Sequence, residues 1–344
     1  MSAGPRKAED AFKNIQVLKG VPADQLIPAM QFITASLGVE CDYCHVQGAF
    51  DKDEKKPKEV ARKMMQMMFA INKESFAGQR AITCYSCHRG ATKPVGIPVI
   101  SNEEKPVMET GGAGGNESAA SEPAPDEILG KYIRALGGAD ALQKISSRVE
   151  KGTMTAAGGR QFPVDIFTRA PDKRASIMHM PNGDSITVFD GKDGWLGVPG
   201  RPVREMSGSD AEAAKQDATL AFPLHVREMF SEIQAGAPEK IGDHTANVIV
   251  GSNPGQAPVR LYFDEPSGLL VRLLRYSESP LGRNPTRIDY SDYRDQGGTK
   301  VPFRWTVARP AGRFTIQVEK IEDNVPVDDG RFAKPAATLA KPPE

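Results

Sequence analysis

Two short stretches carry residues able to do chemistry together: Cys41-Asp42-Tyr43-Cys44-His45 and Cys84-Tyr85-Ser86-Cys87-His88. Cysteines at i and i+3 on a helical turn project to one side. There they can form thioethers to the two vinyl groups of one porphyrin, and the histidine that follows lies under the iron as its proximal ligand. The expectation is two covalent haem c groups, held by Cys41, Cys44 and His45 and by Cys84, Cys87 and His88. A pair of CxxC units could instead hold a four-thiolate zinc or act as a redox dithiol. Zinc does not require a histidine after each pair, and the chain has only five histidines. The other three, His179, His225 and His244, lie far along the chain and read as ordinary surface or core histidines.

Each haem iron then needs a sixth ligand, and methionine is the usual partner of histidine in electron-transfer cytochromes. Leu26, Met30, Ile33 and Leu37 recur at one face of a helix over about 25–37. Val60, Met64, Met67 and Ile71 repeat that spacing on a helix from near Pro57 to about Asn72. Aligning the two sets puts Met64 opposite Met30, so Met30 and Met64 are the expected axial ligands, with Met67 the alternative to Met64. The plain reading of such methionines is core filler. Helix, loop and CxxCH thus occur twice.

The elements that must position these residues follow from the rest of the pattern. Residues 8–19 read as a helix stopped by Gly20 and Pro22, and Gly38 fits the stop of the second helix. Residues 101–125 contain Gly111-Gly112-Ala113-Gly114-Gly115 and a Ser/Ala/Glu/Pro stretch, the composition of a flexible tether. Residues 126–145 read as a helix interrupted at Gly137-Gly138. Beyond Val149, short alternating runs are separated by turn signals such as Asp190-Gly191, Pro266-Ser267-Gly268 and Gly297-Gly298. Those at 164–168, 185–189, 248–250, 259–263, 269–276, 286–290, 303–308 and 314–319 predict an antiparallel sheet or partly closed barrel. A helical stretch near 209–232 interrupts them. The fold class is therefore multidomain. A helical di-haem cytochrome c domain (1–100) and a linker (101–125) precede an α+β domain with a curved antiparallel sheet or half-barrel (126–337), and a tail (338–344) ends the chain.

The formal charge sums to zero, which gives no sign of a nucleic-acid partner. The sum hides a pattern: residues 1–100 hold 14 Lys/Arg against 10 Asp/Glu, a net of +4, whereas 101–127 hold 1 against 7, a net of −6. Arg62, Arg89 and Lys93 are candidate partners for the haem propionates, although a solvated basic face is the commoner outcome. No apolar run approaches a membrane span, and no signal peptide is legible. Because haem attachment normally follows export, a periplasmic, outer-membrane-associated or extracellular bacterial protein is expected. Its leader would have been removed, with or without a lipoprotein anchor, or its start assigned late.

The stretch Ala61-Arg62-Lys63-Met64-Met65-Gln66-Met67, then Ile71-Asn72, then Ile82-Thr83-Cys84-Tyr85-Ser86-Cys87-His88-Arg89-Gly90, resembles the cytochrome c subunit of photosynthetic reaction centres. So does Met30 followed by Leu37-Gly38-Val39-Glu40-Cys41-Asp42-Tyr43-Cys44-His45. In that family a helix with an axial methionine precedes each CxxCH and electrons pass along a haem row. The family subunit has four haems in two pairs, so residues 12–98 resemble one half. Glu127-to-Gly138, the Asp190-to-Trp195 turn and Ser291-Asp292-Tyr293-Arg294 resemble the lipoprotein-carrier superfamily of LolA and LppX type. That resemblance implies a half-barrel able to hold acyl chains. It does not by itself establish lipid transport, and the same half-barrel could instead take a partner, a quinone-like molecule or the outer membrane.

The reading that results is a non-enzymatic electron carrier between redox partner proteins, with peripheral membrane association compatible with it. The competing readings are a di-haem peroxidase-like enzyme, and a carrier of lipid or another lipophilic ligand with an accessory cytochrome.

Overall fold

A computed structural model describes residues 6–94, 123–309 and 312–336. The expected tether, up to residue 122, and the tail at 338–344 lie outside the described residues. The chain forms a helical N-terminal region followed by a large, unclosed antiparallel sheet.

The N-terminal region contains α1 (Ala8–Ala11), α2 (Leu26–Leu37), α3 (Cys41–Cys44), α4 (Lys56–Ser75) and α5 (Cys84–His88). The second and third helices run as their periodicity predicts. Pro57 sits in the first turn of α4, where its missing N–H costs nothing, and Gly38 ends α2 in the left-handed conformation. The first helix is much shorter than residues 8–19. Phe12 is already extended and Asn14 has a positive φ, because the chain turns back so that Ala8 N–H reaches the Val21 carbonyl at 2.7 Å. That turn lets Ile15, Val17 and Leu18 pack on a core of Leu26, Ala29, Phe32, Ile33, Met65 and Met68.

The second region opens with α6 (Pro125–Ala135) and α7 (Ala139–Gln143), split at Gly137-Gly138 as expected. Six strands follow: β1 (Ser147–Ala156), β2 (Gln161–Arg169), β3 (Lys173–Met180), β4 (Gly183–Phe189), β5 (Gly194–Gly197) and β6 (Arg204–Glu205). Two helices, α8 (Gly208–Ala218) and α9 (Phe222–Met229), occupy the helical stretch expected near 209–232, which ends at Met229 because Glu232 already opens the next strand. The remaining strands are β7 (Glu232–Ile241), β8 (His244–Ser252), β9 (Val259–Asp264), β10 (Leu270–Ser279), β11 (Gly282–Gln296), β12 (Thr299–Arg309) and β13 (Gly312–Asp323). They make one 13-stranded sheet in the order β6-β5-β4-β3-β2-β1-β13-β12-β11-β10-β9-β8-β7. Two meanders therefore run outward from a central β1–β13 pair, and the α8–α9 segment carries the chain from one edge to the other.

Because directly paired residues of antiparallel strands share a face, the register defines one apolar row. Ile249, Leu261, Leu273, Ile288, Val307 and Phe314 pair in succession across β8 to β13. Helices α6 and α9 cover that row with Ile128, Leu129, Tyr132 and Val226.

The two regions touch through the β10–β11 hairpin. Leu281 at its tip is 0% exposed and belongs to the helical core. Gly282 lies so close to Phe32 that a Cβ there would come within 2.3 Å of the ring. Asn284 donates to the Pro28 carbonyl of α2 at 3.1 Å, and Arg80 donates to the Ser279 carbonyl and reaches Glu278 at 3.4 Å. Replacing Leu281 with Ala removes a side chain from a fully enclosed site, a change that typically costs about 2–5 kcal/mol. Leu281→Ala should therefore lower the unfolding midpoint of the N-terminal region, followed by circular dichroism in urea. An unchanged midpoint would show that the hairpin does not support that region.

Candidate functional site: two CxxCH turns and their methionine helices

In the first motif α3 is a single helical turn, and His45 N–H closes it on the Cys41 carbonyl at 3.0 Å. The His45 ring Nδ1 lies 2.9 Å from the Phe50 carbonyl. A carbonyl can only accept, so Nδ1 carries the proton and Nε2 is left with its lone pair. The loop that supplies this carbonyl is itself tied down. Lys58, 8% exposed, donates to the carbonyls of Phe50 (2.9 Å) and Lys52 (2.7 Å) and pairs with Asp53 at 2.9 Å. Asp53 also takes Arg62 at 2.9 Å, and Lys55 donates to the Asp42 carbonyl. A cleft lined by Glu40, Cys41, Asp42, His45, Gln47 and Phe50 opens beside the imidazole.

The second motif is built the same way by other means. Thr83 caps α5, and its backbone N–H donates to the Ser86 hydroxyl at 3.1 Å. The His88 Nδ1 lies 2.9 Å from the Ala91 carbonyl, which again leaves Nε2 free. Arg89 adopts a left-handed conformation that turns the chain, and Gly90 N–H reaches the Ser36 carbonyl of α2 at 2.9 Å. Gly38 is required there: a Cβ would lie 2.2 Å from the Gly90 oxygen, and its φ of +66° is one that side chains resist. The exit of the second motif is thus packed against the entry of the first. Helix α2 packs against α5, and α4 against both α3 and α5.

The two methionine stripes, equal in sequence, differ in the structure. In α2, Leu26 and Ile33 are buried and Met30 and Leu37 half-buried. In α4 the corresponding Val60, Met64, Met67 and Ile71 are 36–49% exposed, whereas Met65 and Met68, off the stripe, are 6% and 4% exposed in the core. Helix α4 therefore has two apolar faces, one packed on protein and one uncovered.

The geometry fits haem c. Each cysteine pair lies on one helical turn, each imidazole presents a free Nε2, and an apolar methionine-bearing face stands open. Among the described residues no three His, Cys, Asp or Glu converge as a metal site, so the four cysteines do not form the thiolate cage that zinc would need. Residues 1–151 match the photosynthetic reaction centre cytochrome C subunit family. The chain is 34% identical over 97 residues to the photosynthetic reaction center cytochrome c subunit of Thermochromatium tepidum, a match covering 27% of this chain and 24% of that one. It is 34% identical over 85 residues to cytochrome c-554 of Chloroflexus aurantiacus, covering 23% and 20%. The chain thus spans about a quarter of the length of these curated relatives. A LolA superfamily protein from Nitrosomonas europaea overlays 62% of this chain and 98% of its own, at 16% identity and a TM-score of 0.43. The N-terminal similarity is to c-type cytochromes and implies covalently attached haem c.

The remaining predicted residues fall elsewhere. His179 bonds Asp184 (3.0 Å) and Asp165 (3.2 Å), His225 bonds Glu228 (2.9 Å), and His244 faces Asp264 (3.4 Å), all in the sheet region. Of the three basic residues considered for propionates, Arg62 is engaged by Asp53 and Arg89 caps α5. Sequence reasoning missed Lys58 and Asn72. Asn72, 6% exposed, accepts from the N–H groups of Ala81 (3.0 Å) and Ile82 (2.9 Å) and donates to the Ile82 carbonyl (2.7 Å). It thereby fixes the segment that enters Cys84. The signals were a buried-side amide on the helix next to Ile71 and its place in the stretch that carries the family resemblance.

Asn72→Ala would strand these backbone groups, at about 1–3 kcal/mol for each buried group left unpaired. If both motifs carry haem, it should lower stability and haem attachment at Cys84 and Cys87 more than at Cys41 and Cys44, read by mass spectrometry of the cysteine peptides. Equal attachment at both motifs would refute that role. The Arg62 guanidinium, with Asn14 and Lys58, holds the Asp53 carboxyl well below the usual carboxylate range. A depressed folded-state pKa gives stability that is present above the unfolded value near 4 and is lost as pH falls below it. Acid titration of unfolding should therefore show a destabilising limb below about pH 4 that is reduced in Asp53→Asn.

Proposed function

We propose that this chain is a di-haem c-type cytochrome that relays single electrons between partner proteins. Cys41 and Cys44 would hold one haem with His45 and Met30 as axial ligands, and Cys84 and Cys87 the other with His88 and Met64. The observation that carries this reading is the paired histidine geometry. Both Nδ1–H groups are spent on backbone carbonyls, Phe50 and Ala91, which leaves both Nε2 atoms for a ligand. A proximal histidine needs that arrangement, because the bond at Nδ1 fixes the tautomer and ring orientation and raises ligand basicity. The apolar, methionine-bearing stripe of α4 supports it as a surface that a porphyrin would cover.

The cofactor supplies one-electron chemistry when bound. This chain anchors it, supplies axial ligands and sets its surroundings. Two histidine–methionine irons with filled coordination favour electron transfer over peroxidase chemistry, which needs an open or labile distal position. Residues 1–100 would form the haem unit, and 126–337 a separate sheet unit whose apolar row is already covered by α6 and α9. The setting would be the periplasm or the outer surface, where covalent haem attachment takes place. Among the described residues no helix is long and apolar enough to cross a membrane.

A pyridine haemochrome assay combined with redox titration tests the reading. Two haems per chain, no carbon monoxide binding to the reduced protein, and loss of one haem from each of Cys41→Ser and Cys84→Ser are expected. Met30→Ala and Met64→Ala should each abolish one methionine–iron absorption in the far red and lower one potential, and Met67→Ala should leave both. In a chain already lacking the first haem, Met30→Ala should change nothing further. A far-red band lost with Met67 would move the ligand assignment to that residue, and haem content unchanged by the cysteine variants would defeat the reading.

A further inference from the structure

The two histidine–carbonyl bonds have different surroundings. The Ala91 oxygen, which takes His88 Nδ1–H, lies in the turn closed by Arg89 and Gly90, and it has no other side-chain hydrogen bond among the described residues. The Phe50 oxygen takes His45 Nδ1–H at 2.9 Å and, at the same distance, the Lys58 ammonium. That ammonium is nearly enclosed and also bonds the Lys52 carbonyl, so it spans the loop that follows the first motif. Asp53 and Arg62 join it, and the three side chains together carry a formal +1.

We propose that Lys58 is a positioning residue for His45 that raises the reduction potential of the haem at Cys41–His45 and leaves the haem at Cys84–His88 unaffected. It acts in two ways of the same sign. A charge-assisted bond from Lys58 occupies one lone pair of the Phe50 carbonyl and draws electron density from it, so the oxygen is a weaker acceptor for His45 Nδ1–H. The imidazole then carries less negative character and stabilises ferric iron less. The net positive charge of the Lys58–Asp53–Arg62 group also favours the reduced haem, which carries one positive charge fewer. By spanning the carbonyls of residues 50 and 52 the side chain holds the acceptor in place as well, which ties ring orientation to the same contact. The two haems of a relay would therefore be inequivalent through a residue that touches neither iron.

This proposal rests on the haem assignment at Cys41–His45. Spectroelectrochemical titration of the haem-loaded full chain tests it, comparing the unaltered protein with Lys58→Met and Lys58→Arg. Lys58→Met keeps the apolar stem and removes the ammonium. At a fixed poise it should lower the reduced-to-oxidised ratio of one haem at least threefold, about 28 mV at 59 mV per tenfold for one electron. The other haem should not change, and the shift should persist in a chain lacking the second haem through Cys84→Ser and Cys87→Ser. Lys58→Arg, which keeps charge and donors, should restore most of the potential. If Lys58→Met loses the first haem, Lys58→Gln, which still donates to a carbonyl but carries no charge, takes its place in the comparison. Unchanged potentials, equal shifts in both haems, no rescue by Arg, or loss of the first haem from both neutral variants would each overturn the proposal. Absence of haem from Cys41 and Cys44 in the unaltered protein would defeat the assignment itself, an outcome distinct from these.

Discussion

An imidazole beside a cysteine pair can face a metal in a fixed way only if its far nitrogen is already committed, and both histidines here meet that condition with a backbone carbonyl. The commitment is a constraint on loops rather than on helices. For His45 the carbonyl lies five residues on, in a loop that has no helix of its own and is closed by Lys58, Asp53 and Arg62. For His88 it lies three residues on, past a left-handed Arg89 whose neighbour Gly90 is bonded to Ser36. The same local geometry is reached once by a buried charge and once by packing against α2. A buried charge costs desolvation unless its partners are good. Lys58 meets that cost with two carbonyls and one carboxylate.

The second consequence is connectivity between distant parts of the chain. Helix α2 carries Met30, accepts Gly90 at its C-terminal turn, and is gripped at Pro28 and Phe32 by the β10–β11 hairpin. Arg80, in the segment that Asn72 fixes before Cys84, bonds the same hairpin. The sheet region therefore touches the helix before the first motif and the segment before the second. Leu281, the residue that enters the helical core, sits at a hairpin tip, where an apolar side chain would otherwise be exposed to water. Its burial stabilises only the joined arrangement.

Much of this was legible in the sequence because it depends on local rules. The CxxCH pairs, the α2 and α4 periodicities, the stops at Gly38 and Gly137-Gly138, and the turns at Asp190-Gly191 and Gly297-Gly298 all act within a few residues. The strands at 161–169, 244–252, 259–264 and 299–309 contain the alternating runs expected at 164–168, 248–250, 259–263 and 303–308, and all but 259–264 extend several residues beyond them. What was not legible is tertiary. Residues 12–19 have enough helix formers to suggest a helix, but the chain gains more by folding back to pair Ala8 with Val21. Strand β3, Lys-Arg-Ala-Ser-Ile-Met-His-Met, alternates too weakly to stand out and is held by neighbours on both sides. Lys58 and Asn72 look like ordinary helix residues until loops from elsewhere place carbonyls beside them. The split of the 209–232 stretch at 219–221 likewise depends on packing against the sheet, since Leu220 N–H bonds the Pro171 carbonyl.

Helix α4 shows how local pattern and global packing separate. A single apolar stripe would normally be assigned to the protein core, yet the best stripe in α4, Val60-Met64-Met67-Ile71, is the exposed one. The core takes the adjacent Met65, Met68 and Asn72 instead. Two apolar faces on a surface helix are costly for a chain that buries only a small set of residues in this region, since a region of this size has little core to spare. The sequence keeps the second face, with two methionines in it, on the helix that packs against both CxxCH turns. A porphyrin covering that stripe turns the cost into binding energy, because burial of apolar side chains against the macrocycle then contributes to folding. Under the proposed haem assignment, the cofactor would complete the hydrophobic core of the N-terminal region, and the exposed methionine stripe would be the surface it covers.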